Sequence, residues 1–139
     1  MNVESVGNIY QCLNKANLHL LEGVYHQDVV FEDAAHRLEG WDALQKYFVS
    51  LYENVKRCDF DIEEHQQVGD AGFLTWTMTL EHPKLQRGSK VEVKGVSHLK
   101  FADGRVVYHR DYFDLGEMLY ENLPLLGSVI KTIKQRLGQ

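Results

Sequence analysis

Residues 91–114 read Val91-Glu-Val-Lys-Gly-Val-Ser-His-Leu-Lys-Phe-Ala-Asp-Gly-Arg-Val-Val-Tyr-His-Arg-Asp-Tyr-Phe-Asp114. Val91, Val93, Gly95, Ser97, Leu99 and Phe101 alternate with Glu92, Lys94, Val96, His98 and Lys100, the period-two pattern of a half-buried strand. Asp103-Gly104 suits a tight hairpin turn, so residues 105–114 are expected to return antiparallel beside it. On that second strand His109, Asp111 and Phe113 share the inner face, and Tyr108, Arg110 and Tyr112 the outer one. Titratable groups on a core-facing surface demand an explanation, because a buried carboxylate is costly unless it is paired, hydrogen-bonded or protonated. A wet or functional cavity behind this strand supplies one.

Working outward, residues 72–81 alternate Leu74, Trp76, Met78 and Leu80 against Thr75, Thr77 and Thr79, and residues 58–67 carry Phe60 and Ile62 inward before the Gly69-Asp70 turn. These stretches extend the hairpin into an antiparallel meander, with residues 83–89 as a polar loop. Further back, Trp41, Leu44, Phe48, Leu51, Tyr52 and Val55 recur at helical spacing and predict a helix through about Asn54. Residues 28–33 predict a short strand with Val29, Phe31 and Asp33 on one face. Residues 34–40 connect it to that helix. Residues 5–24 predict an amphipathic helix with a bend or break at Asn17, which could equally be the N-cap of a second short helix over residues 18–24. After Phe113, Asp114 and Glu117 have the spacing of a capping box, and Pro124 interrupts the helix they begin. Leu125, Leu126, Val129, Ile130, Ile133 and Leu137 then form an apolar stripe beside Lys131, Lys134 and Arg136, which predicts a helix docked on the domain; a helix lying on a membrane surface is the alternative.

At 139 residues the chain has the length of one domain, residues 1–139, with a core over about 5–114 and a C-terminal helical extension over about 115–139. Its 44% apolar and 25% charged residues are those of a globular protein. A formal charge of -5 with dispersed acidic residues argues against nucleic acid as a partner. Cys12 and Cys58 lack metal-ligand spacing. No stretch has the length or character of a membrane span or secretory signal, so no membrane partner and a cytoplasmic location are expected.

The segment Asn17-Leu-His-Leu-Leu-Glu-Gly-Val-Tyr-His-Gln-Asp-Val-Val-Phe-Glu-Asp33, with His36, Gly40, the helix through residues 43–48 and the hairpin over 101–113, resembles the SnoaL-like branch of the nuclear transport factor 2-like superfamily. That superfamily includes ketosteroid isomerases and polyketide cyclases, and the resemblance spans about residues 10–114. It implies an α+β fold: a cone-shaped roll in which a curved antiparallel sheet wraps around N-terminal helices, here with an added C-terminal helix. It also implies a deep pocket for a small hydrophobic molecule and a homodimer through the outer sheet face, where Thr75, Thr77, Thr79, Val96, His98, Tyr108 and Tyr112 point.

By the same resemblance, Asp33 stands where the isomerases place a general base, and Tyr10 lies near their tyrosine donor. Ser97 stands where they carry a protonated aspartic acid, a departure that weakens the case for steroid isomerisation. Asp111 stands where the cyclases carry an acid/base aspartate. The implied activity is general acid/base isomerisation or aldol-type cyclisation of a hydrophobic carbonyl compound, with Asp33, Asp111, His109 and Tyr10 as catalytic candidates and no metal or organic cofactor. Ser97, Trp76, Met78, Phe113 and His36 are the candidate ligand-binding residues. Plainer readings stand beside these: Asp33 as a turn cap, and His109 with Asp111 as a satisfied polar network. Epoxide-hydrolase chemistry would want an arginine between two carboxylates; Arg110 points to the wrong face, while Arg37 and Arg105 stay open. The rival to an enzyme is a non-catalytic ligand-binding or protein-interaction dimer, which a filled interior would favour.

Overall fold

The alternating stretches become strands of one sheet in the computed structural model, which describes residues 1–120 and 126–138. Its six strands are β1 (Tyr25–Glu32), β2 (Arg37–Glu39), β3 (Arg57–Val68), β4 (Ala71–Glu81), β5 (Lys90–Ala102) and β6 (Arg105–Phe113), in the order β2-β1-β6-β5-β4-β3. β3 to β6 form the expected meander, with Ser97 opposite Asp111 and Leu74 opposite Ser97. β1 lies against β6 and runs parallel to it, Phe31 opposite His109. The curved sheet is therefore mixed, where an antiparallel one was expected. No tight turn joins these two strands, so local sequence carries no signal of their relative direction. β2 was also unforeseen, because three residues are too few to display a period.

Three register shifts interrupt the ladders, one in β3 between Ile62 and Glu64, one between β5 and β6 near Val107, and one in β1 between Tyr25 and Val30. The second resets the alternation of β6: Val106 and His109 are both buried although three residues apart. Bulges of this kind bend a strand and increase its twist, which helps the sheet curl around its contents.

Helix α1 (Val3–Cys12) starts in a capping box in which the Asn2 side chain accepts from the Ser5 N–H and the Ser5 hydroxyl accepts from the Asn2 N–H. It is shorter than expected. The break expected at Asn17 is present: Asn17 donates from Nδ2 to the Cys12 carbonyl (2.7 Å), its Oδ1 accepts from the Asn14 N–H, and it stands at the N-cap of the short helix that follows. A 3-10 turn over Leu18–Gly23 follows, and β1 begins at Tyr25, earlier than the sequence pattern indicated. Helix α2 (Trp41–Asn54) buries Trp41, Leu44, Phe48 and Tyr52, the face its spacing predicts.

Beyond β6 the Asp114 carboxylate accepts from the Glu117 N–H (2.9 Å) and opens a π-helical turn over Gly116–Tyr120. The break at Pro124 and the contribution of Leu125 lie outside the described residues. Helix α3 (Leu126–Leu137) does not bury its stripe: Leu126, Val129, Ile133 and Leu137 are exposed, and Gly127 is the buried position among the described residues of this helix. This corrects the expectation of a helix docked through that face. No described helix is long and apolar enough to cross a membrane.

One glycine matters for the site. Gly95 lies opposite Trp76 in the ladder, and a Cβ there would overlap the indole ring. Gly95→Ala should destabilise the protein by about 1–3 kcal/mol through overpacking, as measured by urea unfolding. Gly23→Ala, where a Cβ meets nothing within 4 Å, should stay within about 0.5 kcal/mol of wild type.

Candidate functional site

Sheet register brings the polar residues of the inner face together. Side chains directly opposite in an antiparallel pair have Cβ atoms about 5 Å apart, so the Ser97 hydroxyl on β5 reaches Asp111 on β6 and donates to Oδ1. The indole of Trp76 passes over Gly95 and donates from Nε1 to Ser97 Oγ at 2.9 Å. His109 lies two residues before Asp111 on the same face, and its Nε2 meets Oδ1 at 2.6 Å. Behind His109 the Tyr25 hydroxyl is 2.8 Å from Nδ1 and also bonds the Tyr10 hydroxyl.

Donor arithmetic gives this chain a direction. With Asp111 ionised the carboxylate only accepts, so the proton of neutral His109 sits on Nε2 and Nδ1 offers a lone pair. Tyr25 donates to that lone pair, and Tyr10 donates to Tyr25. Burial, the largest cause in each case, pushes both tyrosines well above the ordinary phenol range, with the negative field of Asp111 acting in the same direction. They remain neutral donors. The ring of Tyr25 lies nearly parallel to those of Trp41 (centroids 5.7 Å apart) and His109 (5.9 Å).

Asp111 is the carboxylate of this chain, and it lines the cavity together with Tyr10 and Trp76. Oδ1 takes the bonds from Ser97 and His109, and no described side chain hydrogen-bonds Oδ2. The cavity has a volume of about 120 Å³, and Phe31, Phe48, Phe60, Trp76, Met78 and Phe113 form much of its wall. Among the described residues neither lysine nor arginine lines it. Leu115 and Met118, from the start of the C-terminal segment, close part of the rim.

Asp33 lies on another part of the same wall. Its Oδ1 accepts from the backbone N–H groups of Ala35 (2.8 Å) and His36 (2.7 Å), and His36 Nδ1 is 3.1 Å away. Its Oδ2 accepts from the Tyr47 hydroxyl at 3.2 Å. Burial, reinforced by Asp33, raises the Tyr47 phenol above its ordinary range. Tyr52 also lines the cavity, and burial again raises its phenol most strongly. Among the described residues no group of three or more His, Cys, Asp or Glu side chains is arranged to hold a metal ion.

The SnoaL-like domain profile matches residues 6–109, most of the chain. The chain belongs to this SnoaL-like family. No curated protein matches it. Solved structures share its fold: a hypothetical protein of ketosteroid isomerase-like fold from Catenulispora acidiphila (15% identity, 89% of this chain and 96% of that one, TM-score 0.76), a candidate SnoaL-like polyketide cyclase from a Jannaschia species (19%, 84% and 90%, 0.70) and an LEH-like epoxide hydrolase of M. tuberculosis (22%, 95% and 92%, 0.69). At such identities the likeness is one of fold.

Within this SnoaL-like scaffold, Asp111, Asp33, Tyr10, Trp76, Met78, Phe113 and His36 all line the cavity. His109 and Ser97 do not; they border a void of about 10 Å³ behind Asp111 and touch the cavity only through its carboxylate. Both are almost fully buried, and both hydrogen-bond the Asp111 carboxylate. Tyr10, expected as an oxyanion donor, has its hydroxyl engaged with Tyr25. Arg110 pairs with Glu32 at 3.3 Å, and Arg37 bonds Glu32 and Glu39. Arg105 donates to the Glu22 carbonyl, so none of the three arginines enters the cavity.

Sequence reading missed Tyr25, because the strand was begun too late, and also Tyr47 and Tyr52. Tyr52 was visible as part of the helical stripe but was read only as core. Tyr47, on the flank of that stripe three residues after Leu44 and four before Leu51, was left out of it.

Buried neutral tyrosines link this site to stability at high pH. The unfolded chain ionises tyrosine near pH 10, whereas Tyr10, Tyr25, Tyr47 and Tyr52 hold their protons to higher pH when folded. Above that point the unfolded state binds fewer protons, so stability falls as pH rises, by up to about 1.4 kcal/mol per pH unit for each such tyrosine. Urea midpoints measured between pH 8 and 11 should hold steady and then drop steeply. Tyr25→Phe should make the drop shallower, and at pH 7 it should cost about 1–3 kcal/mol by leaving buried partners unpaired.

Proposed function

We propose that this protein is a small-molecule enzyme that moves a proton on a hydrophobic carbonyl compound, as an isomerase or cyclase, with Asp111 as its general base. One observation carries the reading: Asp111 holds one oxygen in a hydrogen-bonded network, and the other, without a side-chain partner among the described residues, is left for an aromatic cavity. A carboxylate so held is aimed at whatever occupies the cavity, and proton transfer by a positioned side chain contributes typically about 10²–10⁴-fold to rate. Largely apolar walls, with neither lysine nor arginine among the described residues that line them, suit an uncharged ligand better than an anionic one. The chemistry of abstracting a proton next to a carbonyl asks for no metal or organic cofactor. Family membership and the cyclase- and isomerase-like fold of the relatives support the same class.

The test is exchange of α-protons for deuterium in cyclic ketones incubated with the protein in D2O, followed by NMR. Wild type should accelerate exchange, and Asp111→Asn should lower the rate by about 100-fold or more while leaving the urea midpoint close to wild type. Ligand binding without any exchange would instead favour the non-catalytic pocket.

We also propose that two copies pair through the outer sheet face. Phe73 is 47% and Tyr112 54% exposed there, and Phe73, His98 and Tyr108 make a continuous aromatic ladder with ring separations of 4.5 and 5.6 Å. Light scattering should give a dimer mass for wild type and a monomer mass for Phe73→Glu.

A further inference from the structure

Two aspartate–histidine pairs meet the cavity, and they are built in opposite senses. In the Asp111–His109 pair the imidazole is buried and the carboxylate faces the cavity. In the Asp33–His36 pair the carboxylate is the inner member, with a side chain 8% exposed against 48% for His36. Both His36 and Asp33 border the cavity, but their chemical availability differs.

Asp33 has little acceptor capacity left. A carboxylate offers about four lone-pair sites, and here Ala35 N–H, His36 N–H, His36 Nδ1 and the Tyr47 hydroxyl converge on it. A bare turn cap requires only the two backbone contacts. The other two hold an imidazole and a phenol in fixed relation, the His36 and Tyr47 rings being 4.9 Å apart. To donate to a carboxylate, Nδ1 of His36 must carry hydrogen, which leaves Nε2 as the atom available for a ligand; no described residue bonds it.

We infer that His36, oriented by Asp33, is the second acid/base group of the cavity and serves the oxygen of a substrate whose acidic carbon is served by Asp111. This rests on the reading of Asp111 as the base. Asp111 Oδ2 removes a proton from the carbon next to the carbonyl, the C–H electron pair becomes the new C=C bond, and the carbonyl π pair moves to oxygen. That oxygen takes the proton from Nε2 of the His36 imidazolium. The products are a neutral enol, protonated Asp111 and neutral His36; return of the proton at a second carbon, with the enol proton handed back to Nε2, restores both groups. Asp33 is thereby a positioning residue rather than the base. The substrate class narrows to uncharged ketones whose oxygen lies toward the β1–β2 turn while the reacting carbon lies against β6.

Two measurements test this. In ¹⁵N–¹H correlation spectra of the wild-type protein, neutral His36 should carry its proton on Nδ1 and His109 on Nε2; His36 protonated on Nε2 would overturn the assignment without any assay of activity. In the ketone exchange assay, His36→Gln and His36→Ala should each lose about ten- to a hundred-fold in rate, and added imidazole should restore part of the His36→Ala loss. A His36→Ala rate equal to wild type, or a loss that imidazole leaves untouched, removes His36 from the chemistry while Asp111 keeps its role through its own variant. Wild-type protein that exchanges no ketone overturns both readings together.

Discussion

A carboxylate can occupy the inner face of an apolar sheet only if neighbouring donors replace the water it has lost. At Asp111 this constraint reaches through much of the fold. The serine that bonds it must lie directly opposite on β5, and the tryptophan behind the serine must cross a residue without a side chain, which is Gly95. The histidine needs a donor on its far nitrogen, supplied by Tyr25 at the beginning of β1. Since β1 and β6 are far apart in sequence, the parallel pairing between them is what completes the chain. Removing a link leaves a buried polar group unsatisfied, so the network defines one arrangement of four strands and α1.

The two aspartate–histidine pairs show how the same residue types acquire different roles from burial alone. Asp111 is backed by its histidine and exposed to the cavity, whereas Asp33 is enclosed by a turn and backs its histidine in turn. Aromatic rings fill the space between, with Phe31 4.8 Å from His109 and 5.9 Å from Tyr47. A ligand replacing solvent there would meet an apolar slot with a polar group on either side, the arrangement in which proton transfer gains most from fixed geometry.

Much of this was readable from residue order. Alternation in β3 to β6 placed Trp76, Met78, Ser97, His109 and Asp111 on the correct face, and helical spacing placed Trp41, Leu44, Phe48 and Tyr52 inward. Tyr25 escaped because Tyr-His-Gln-Asp begins its strand with mostly polar neighbours, and a single tyrosine has no period. Tyr47 escaped because it leaves the buried stripe of α2 and lines the cavity from its flank. The apolar stripe of α3 misled in the other direction: its spacing is that of a docked helix, yet burial depends on a partner surface that the described residues do not provide.

By itself the amino-acid order determined the strands of the meander, the inward direction of their side chains and the presence of titratable groups among them. Each of these follows from local geometry, the two-residue repeat of a strand and the reach of a tight turn. Only the tertiary structure decided which Asp111 oxygen has no described side-chain partner, which nitrogen of each histidine faces a carboxylate and which tyrosines complete the chain. Those outcomes depend on partners up to 84 residues apart in sequence, as Tyr25 and His109 are, and on how completely each group is withdrawn from water.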